Sequence, residues 1–127
     1  MSEPLDVPRH EALRLTDIDG KGRGVIAIEP INAGALLEIA PVIPLTTESS
    51  PMPDQILYAY PFLWDDPPFI EAIALGLISM INHSDEPNAQ FETDIPHKIV
   101  RVTALRDIAA GEEVTFDYGI PLWFDAS

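Results

Sequence analysis

The segment Met80-Ile81-Asn82-His83-Ser84-Asp85-Glu86-Pro87-Asn88-Ala89 is where the character of this chain changes. An apolar run from Ala72 to Ile81 stops abruptly at polar, turn-forming residues, and an apolar–polar alternation begins at Ala89. Short polar side chains that bond their own backbone, with a proline that presets φ, are what a turn requires. The plain reading is therefore a turn. The sharper one is a loop to which a buried element delivers Asn82 and His83 for ligand contact. The segment by itself does not separate the two.

Working outward, short strands alternate with Gly- and Pro-rich breaks. Glu11–Thr16 alternates in period two, Asp17–Gly24 is a Gly-rich loop, and Val25–Ile28 is β-branched. Pro30–Gly34 is a turn, Ala35–Ile43 a mostly apolar strand, and Thr46–Pro53 a polar, Pro-rich loop. Ile56–Trp64 is aromatic and strand-like, and the Asp65-Asp66-Pro67-Pro68 break follows it. Ile70–Ile81 is nearly continuous in apolar residues, so periodicity does not distinguish a buried strand from a buried helix. Gly76 in its middle would weaken a helix by about 1 kcal/mol. Ala89–Thr93 and Lys98–Thr103 read as a hairpin, Arg106–Gly111 as a turn and Glu112–Tyr118 as a last strand. With 13 prolines and seven glycines in 127 residues, the expectation is one mostly-β domain with little helix.

The composition excludes several classes. There is no cysteine, hence no disulfide and no zinc-thiolate site. No basic patch leads into an apolar stretch near Met1, so no signal peptide is expected. No apolar run approaches the roughly 20 residues that span a bilayer, which points to a cytoplasmic protein, or a nuclear one if the source is eukaryotic. Twenty-one acids stand against seven Lys and Arg, a net charge of −14, and no Lys or Arg falls between Gly24 and His97. Such a field repels phosphate backbones, so no direct nucleic-acid contact is expected, and it attracts a basic protein or peptide.

Gly22-Arg23-Gly24 lacks the third glycine and helix of a dinucleotide site and the Gly-Lys-Ser/Thr of a phosphate loop. What remains is a tight turn, or a backbone that a small ligand can approach closely. Tyr118 closes the last strand, as a core phenol or as a group that orients an amine. His83 beside Ser84 is no hydrolase arrangement. With Asp85 and Glu86 it also lacks the spacing of a metal site, so no metal is expected.

The order of Gly22-Arg23-Gly24, then Asn82-His83-Ser84 with Pro87-Asn88-Ala89, then Gly111-Glu112-Glu113-Val114-Thr115-Phe116-Asp117-Tyr118-Gly119 resembles a SET domain, the protein-lysine methyltransferase fold. The resemblance covers about Leu13 to Tyr118. It implies small curved β-sheets with a C-terminal pseudoknot, and divides the chain into a leader (1–10), the domain (11–119) and a closing segment (120–127). It also implies S-adenosylmethionine as cofactor, contacted by Gly22, Arg23, Gly24, Asn82 and the backbone of His83. Tyr118 becomes the catalytic tyrosine. Phe116 takes the position that sets how many methyl groups fit, and Tyr60 becomes a wall of the lysine channel. The Asn82-His83 stretch and the Phe116–Tyr118 strand would meet at the active site. With no cysteine cluster to close that site, the task falls to Leu122, Trp123 and Phe124, with Trp123 packing on the adenine or capping the lysine channel. A homodimer through the tail or Ile56–Trp64 would also finish it. The implied function is methylation of a lysine on a basic protein. The alternatives are a degenerate domain that binds peptide or cofactor without turnover, and an unrelated β interaction domain.

Overall fold

The period-two segments form nine strands among the described residues of the computed structural model, 7–51 and 61–117. They are β1 (Leu13–Ile18), β2 (Gly22–Ala27), β3 (Leu36–Leu45), β4 (Phe62–Asp66), β5 (Phe69–Ala74), β6 (Asn82–His83), β7 (Ala89–Asp94), β8 (Ile99–Ala104) and β9 (Glu113–Phe116). The only helical element among these residues is a 3-10 turn, Leu77–Met80, so the mostly-β expectation holds.

Inward positions of these strands make one core. Val25 and Ala27 of β2, Leu37 and Ala40 of β3, Val100 and Val102 of β8, and Val114 of β9 are all buried, joined by Ile31 and Ile108 from the turns. Burying one of these valine, leucine or isoleucine side chains contributes about 1.5–3 kcal/mol. The two turns are locked together, because Ile31 and Ile108 exchange backbone hydrogen bonds of 2.8 Å in each direction. Upstream of β1, the backbone of Arg9 forms an isolated antiparallel β-bridge with that of Glu38 and the Ile39 N–H donates to the Pro8 carbonyl, which ties part of the expected leader to β3.

Hydrogen-bonded neighbours run β1-β2-β9-β7-β8-β3-β5-β4, with β6 also on β9. From β7 to β4 is four steps, about 19 Å across a flat sheet at roughly 4.8 Å per step. Yet the rings of Phe62 on β4 and Phe91 on β7 have centroids 6.1 Å apart. The sheet therefore curls until β4 faces β7, which is the curvature the sequence resemblance implied.

Two sequence expectations change in detail. The Gly-rich loop contracts to Asp19–Lys21, and Gly22-Arg23-Gly24 begins β2, with Gly22 opposite Ile18 and Gly24 opposite Thr16. Gly22 has φ of 78°, a left-handed conformation that lets the chain turn straight into the ladder. The ambiguous apolar run Ile70–Ile81 is neither one helix nor one strand: β5 ends at Ala74, and the 3-10 turn follows Gly76. The buried Glu38 carboxylate decides this break. It accepts the backbone N–H groups of Leu77 (3.1 Å) and Ile78 (2.8 Å), the donors that a helical start leaves unpaired. A Cβ on Gly76 would lie 2.9 Å from both Glu38 oxygens, so the glycine makes room for the carboxylate.

Candidate active site

β9 gathers the site. Its first half pairs antiparallel with β2 (Val25 opposite Val114, Ile26 opposite Glu113). Its second half pairs parallel with β6, placing Asn82 opposite Thr115 and His83 opposite Phe116. Ala89 of β7 also lies opposite Phe116. The 3-10 turn anchored by Glu38 feeds directly into β6, because the Ile81 N–H closes on the Ile78 carbonyl at 3.1 Å. Segments far apart in sequence, Arg23–Gly24, Asn82–His83 and Thr115–Phe116, thus meet along one seam.

Asn82 sits at its centre with a fixed amide. Its Nδ2 donates to Oε2 of Glu113 at 2.8 Å and to the Arg23 carbonyl at 3.3 Å. Both partners are pure acceptors, so the amine end must face them, and Oδ1 is the end able to accept from a donor. Glu113 is held in turn by Lys21, whose Nζ lies 3.0 Å from Oε1. Gly24 faces this cluster. A Cβ there would stand 2.8 Å from Asn82 Nδ2, 2.9 Å from Glu113 Oε2 and 2.6 Å from Ile18 Cγ1. The missing side chain at Gly24 is therefore space that Asn82 and Glu113 use.

His83 is buried in its side chain, with Nε2 3.1 Å from Asp85 Oδ1 and Nδ1 3.8 Å from Asp117 Oδ1. The backbone runs on from it: the Ser84 N–H donates to the Phe116 carbonyl at 3.1 Å. Among the described residues no three His, Asp or Glu side chains cluster as metal ligands.

Beneath the seam, Asn88 is 1% exposed and acts as a peptide group in side-chain form. Its Oδ1 accepts the Thr115 N–H at 2.8 Å, and its Nδ2 donates to the Glu113 carbonyl at 2.8 Å and to Glu112 Oε2 at 3.3 Å. The Glu112 carboxyl is held below the usual carboxylate range, first by the Ala109 N–H, then by the Arg106 guanidinium 3.0 Å away and by the Asn88 amide. A carboxyl whose folded pKa is depressed adds stability that is complete above its unfolded value and disappears as pH falls through the folded one. Glu112→Gln is accordingly expected to lower the thermal midpoint at neutral pH, with the gap to wild type closing as pH drops below the ordinary value of 4.5. Melting curves across pH check this, and a gap that persists in acid would refute it.

Of the residues singled out in the sequence, Arg23, Gly24, Asn82, His83 and Phe116 are brought together, while Gly22 starts β2 opposite Ile18 with open space around it. Tyr60, Tyr118 and Trp123 lie outside the described residues, as do the tail and most of Ile56–Trp64, on which the expected dimer contact rested. Sequence reasoning missed Glu113, Glu38 and the structural role of Asn88. Glu38 did leave a signal, a lone acid inside the apolar run Ala35–Ile43.

The curled β fold carries these motifs on β2, β6 and β9 to one seam, and likeness to known proteins gives the class, the protein-lysine methyltransferases. The SET domain family model matches residues 22–119, and the chain belongs to that family. It is 36% identical over 115 residues to a histone-lysine N-methyltransferase of Schizosaccharomyces pombe specific for H3 lysine-37, covering 89% of this chain and 77% of that protein. Among solved structures, a Plasmodium falciparum chain described as a histone methyltransferase matches with a TM-score of 0.70 at 24% identity, over 91% of this chain and 99% of that one. KRYPTONITE, crystallised with mCHG DNA and SAH, matches with a TM-score of 0.67 at 28% identity, over 87% of this chain but 24% of its own. Among the described residues no helix is long and apolar enough to cross a membrane.

Proposed function

We propose that this chain transfers methyl groups from S-adenosylmethionine to a lysine of a basic protein. The observation that carries the reading is the orientation of Asn82: with its amine end committed to Glu113 and Arg23, Oδ1 is presented to a donor, which suits the ammonium of an amino-acid-like cofactor. Gly24 lets the Asn82 amide and the Glu113 carboxylate pack against β2 in this orientation, since a Cβ there would collide with both. When bound, S-adenosylmethionine supplies an electrophilic methyl on a sulfonium. The protein's part is alignment, which can account for much of the rate in a displacement of this kind. Gly22, Arg23 and Gly24 line the cofactor, Asn82 takes its ammonium, and the His83 backbone borders its adenine. Phe116 and Tyr60 wall the lysine channel, Trp123 closes the site, and the Tyr118 hydroxyl orients the neutral amine. A free lysine has a pKa of about 10.4, and desolvation beside a cation lowers it.

The charge of −14 favours a basic substrate and opposes phosphate backbones. Together with the H3 specificity of the S. pombe relative, it makes core histones the first substrate to try. On this reading the protein works in the nucleus or cytoplasm.

Calorimetric titration with S-adenosylmethionine, followed by transfer of labelled methyl to core histones and to a mixed protein extract, tests the proposal. Saturable binding and label on lysine are expected, with Tyr118→Phe keeping the cofactor and losing turnover. Binding without transfer in the wild type would instead identify a degenerate, binding-only domain. No binding at all would remove both readings.

A further inference from the structure

Phe116 does not stand alone. Its ring centroid lies 5.1 Å from that of Phe91, tilted by 54°. Phe91 meets Phe62 edge-on at 6.1 Å and 70°, and Phe62 meets Trp64 edge-on at 6.1 Å and 78°. These separations fall in the range of attractive ring pairs, with a preference for tilted and edge-to-face geometry. The row draws on β9, β7 and β4, and it exists because the sheet curls β4 over β7. Its ends are buried, Trp64 at 3% and Phe116 at 5% exposure, while Phe62 and Phe91 between them are half-buried.

The strand register explains why Phe91 reaches Phe116. Ala89 is the β7 residue directly opposite Phe116 and is small. Phe91, two positions on, projects from the same face of β7, and a ring there reaches across the space that Ala89 leaves. On its other side β7 is paired with β8 along its whole length, Phe91 lying opposite Val102, so the Phe91 backbone has little freedom.

From this row we infer that Phe91 is a positioning residue for Phe116, so that the number of methyl groups the enzyme adds depends on a side chain away from the reacting atoms. The inference rests on the proposal that Phe116 walls the lysine channel. With Phe91 in place, the Phe116 ring is supported against retreat. With a smaller residue there, the ring relaxes into the vacated space and the channel gains room for an amine that already carries a methyl. The later transfers then speed up relative to the first, since misplacement on the order of 1 Å can change a rate about 100-fold.

The test uses the full chain, S-adenosylmethionine and core histones, with intact-mass spectrometry following mono-, di- and trimethyl products over time. In Phe91→Leu the ratio of later to first transfer is expected to rise about tenfold, with cofactor affinity unchanged, a split that simple loss of structure would not produce. Phe91→Tyr, which keeps the ring, is expected to hold the wild-type ratio. Phe62→Leu, one ring further out, should move the ratio the same way by less, and it serves if Phe91→Leu folds poorly. Phe116→Leu separates the two layers of argument. A ratio that moves in Phe116→Leu but in neither Phe91→Leu nor Phe62→Leu overturns the positioning role alone. A ratio unmoved in Phe116→Leu overturns the channel assignment beneath it, and no transfer by the wild type overturns the proposed function itself.

Discussion

Gly24→Ala is expected to weaken S-adenosylmethionine binding by about 10- to 100-fold while lowering the thermal midpoint by only about 2–4 °C. A Cβ at this position falls 2.6–2.9 Å from Ile18 Cγ1, Asn82 Nδ2 and Glu113 Oε2, closer than real Cβ contacts come, so something must move. All three are side-chain atoms rather than backbone, so side-chain shifts at Ile18, Asn82 and Glu113 take up the collision before the ladder between β1 and β2 has to break. The stability cost therefore sits at the low end of the 1–3 kcal/mol typical of overpacking. The functional cost is larger, because displacing Asn82 and Glu113 breaks the two contacts that orient the amide. A hydrogen bond to a charged group contributes about 1.5–3 kcal/mol, and each 1.4 kcal/mol is tenfold in affinity. Gly20→Ala is the control. Gly20 has φ of 77° with open space around it, so alanine there strains the backbone without touching the seam. It should lower the melting point and leave cofactor affinity alone. If calorimetry finds the affinity of Gly24→Ala intact, Asn82 is not the cofactor contact we take it to be.

The strands were legible in the sequence wherever one face is buried and the other wet. Lys98–Thr103 and Ala89–Thr93 alternate because β8 and β7 present one face to the core, and Asp94-Ile95-Pro96-His97 announces the turn between them. Their hairpin needs only local information. Ile70–Ile81 was not legible, because its break depends on a carboxylate from β3, 38 residues before Gly76: Glu38 supplies acceptors to Leu77 and Ile78 that nothing nearby offers. The pairing of β6 with β9 was out of reach of periodicity for a different reason. β6 is two residues long, too short to show a period, and its partner lies more than 30 positions downstream. Only the motif resemblance placed Asn82-His83 beside Phe116. Even so, Glu113 went unread, since one acid among 21 carries no mark of the amide it will hold.

Asn88 supplies the other large effect. Asn88→Asp is expected to cost about 3–5 kcal/mol, the range for leaving a buried charge without compensation, against a total of about 5–15 kcal/mol for a domain. One carboxylate oxygen could still accept the Thr115 N–H, as Oδ1 does now. The other would replace Nδ2 and face the Glu113 carbonyl and the Glu112 carboxylate, two acceptors with no proton between them. The site is 1% exposed, so water does not relieve the repulsion. Protonation does, because a neutral carboxyl regains a donor, and the new group would have its pKa raised by burial and by Glu112. Its unfolded form ionises more readily than its folded form, so the penalty is greatest at neutral pH and shrinks as pH falls toward that raised value. Asn88→Ala behaves differently: it leaves the Thr115 N–H and Glu113 carbonyl unpaired at any pH, at about 1–3 kcal/mol. Urea unfolding of both variants at neutral and mildly acidic pH distinguishes them, with the aspartate variant recovering in acid and the alanine variant not. Because Asn88 grips β9 at Glu113 and Thr115, between the contacts of β9 to β2 and to β6, the loss should also appear at the site. Cofactor affinity is expected to fall with stability in both variants, whereas in Gly24→Ala it falls nearly alone. If both Asn88 variants unfold within 1 kcal/mol of the wild type, the buried amide is not what joins the core to the seam.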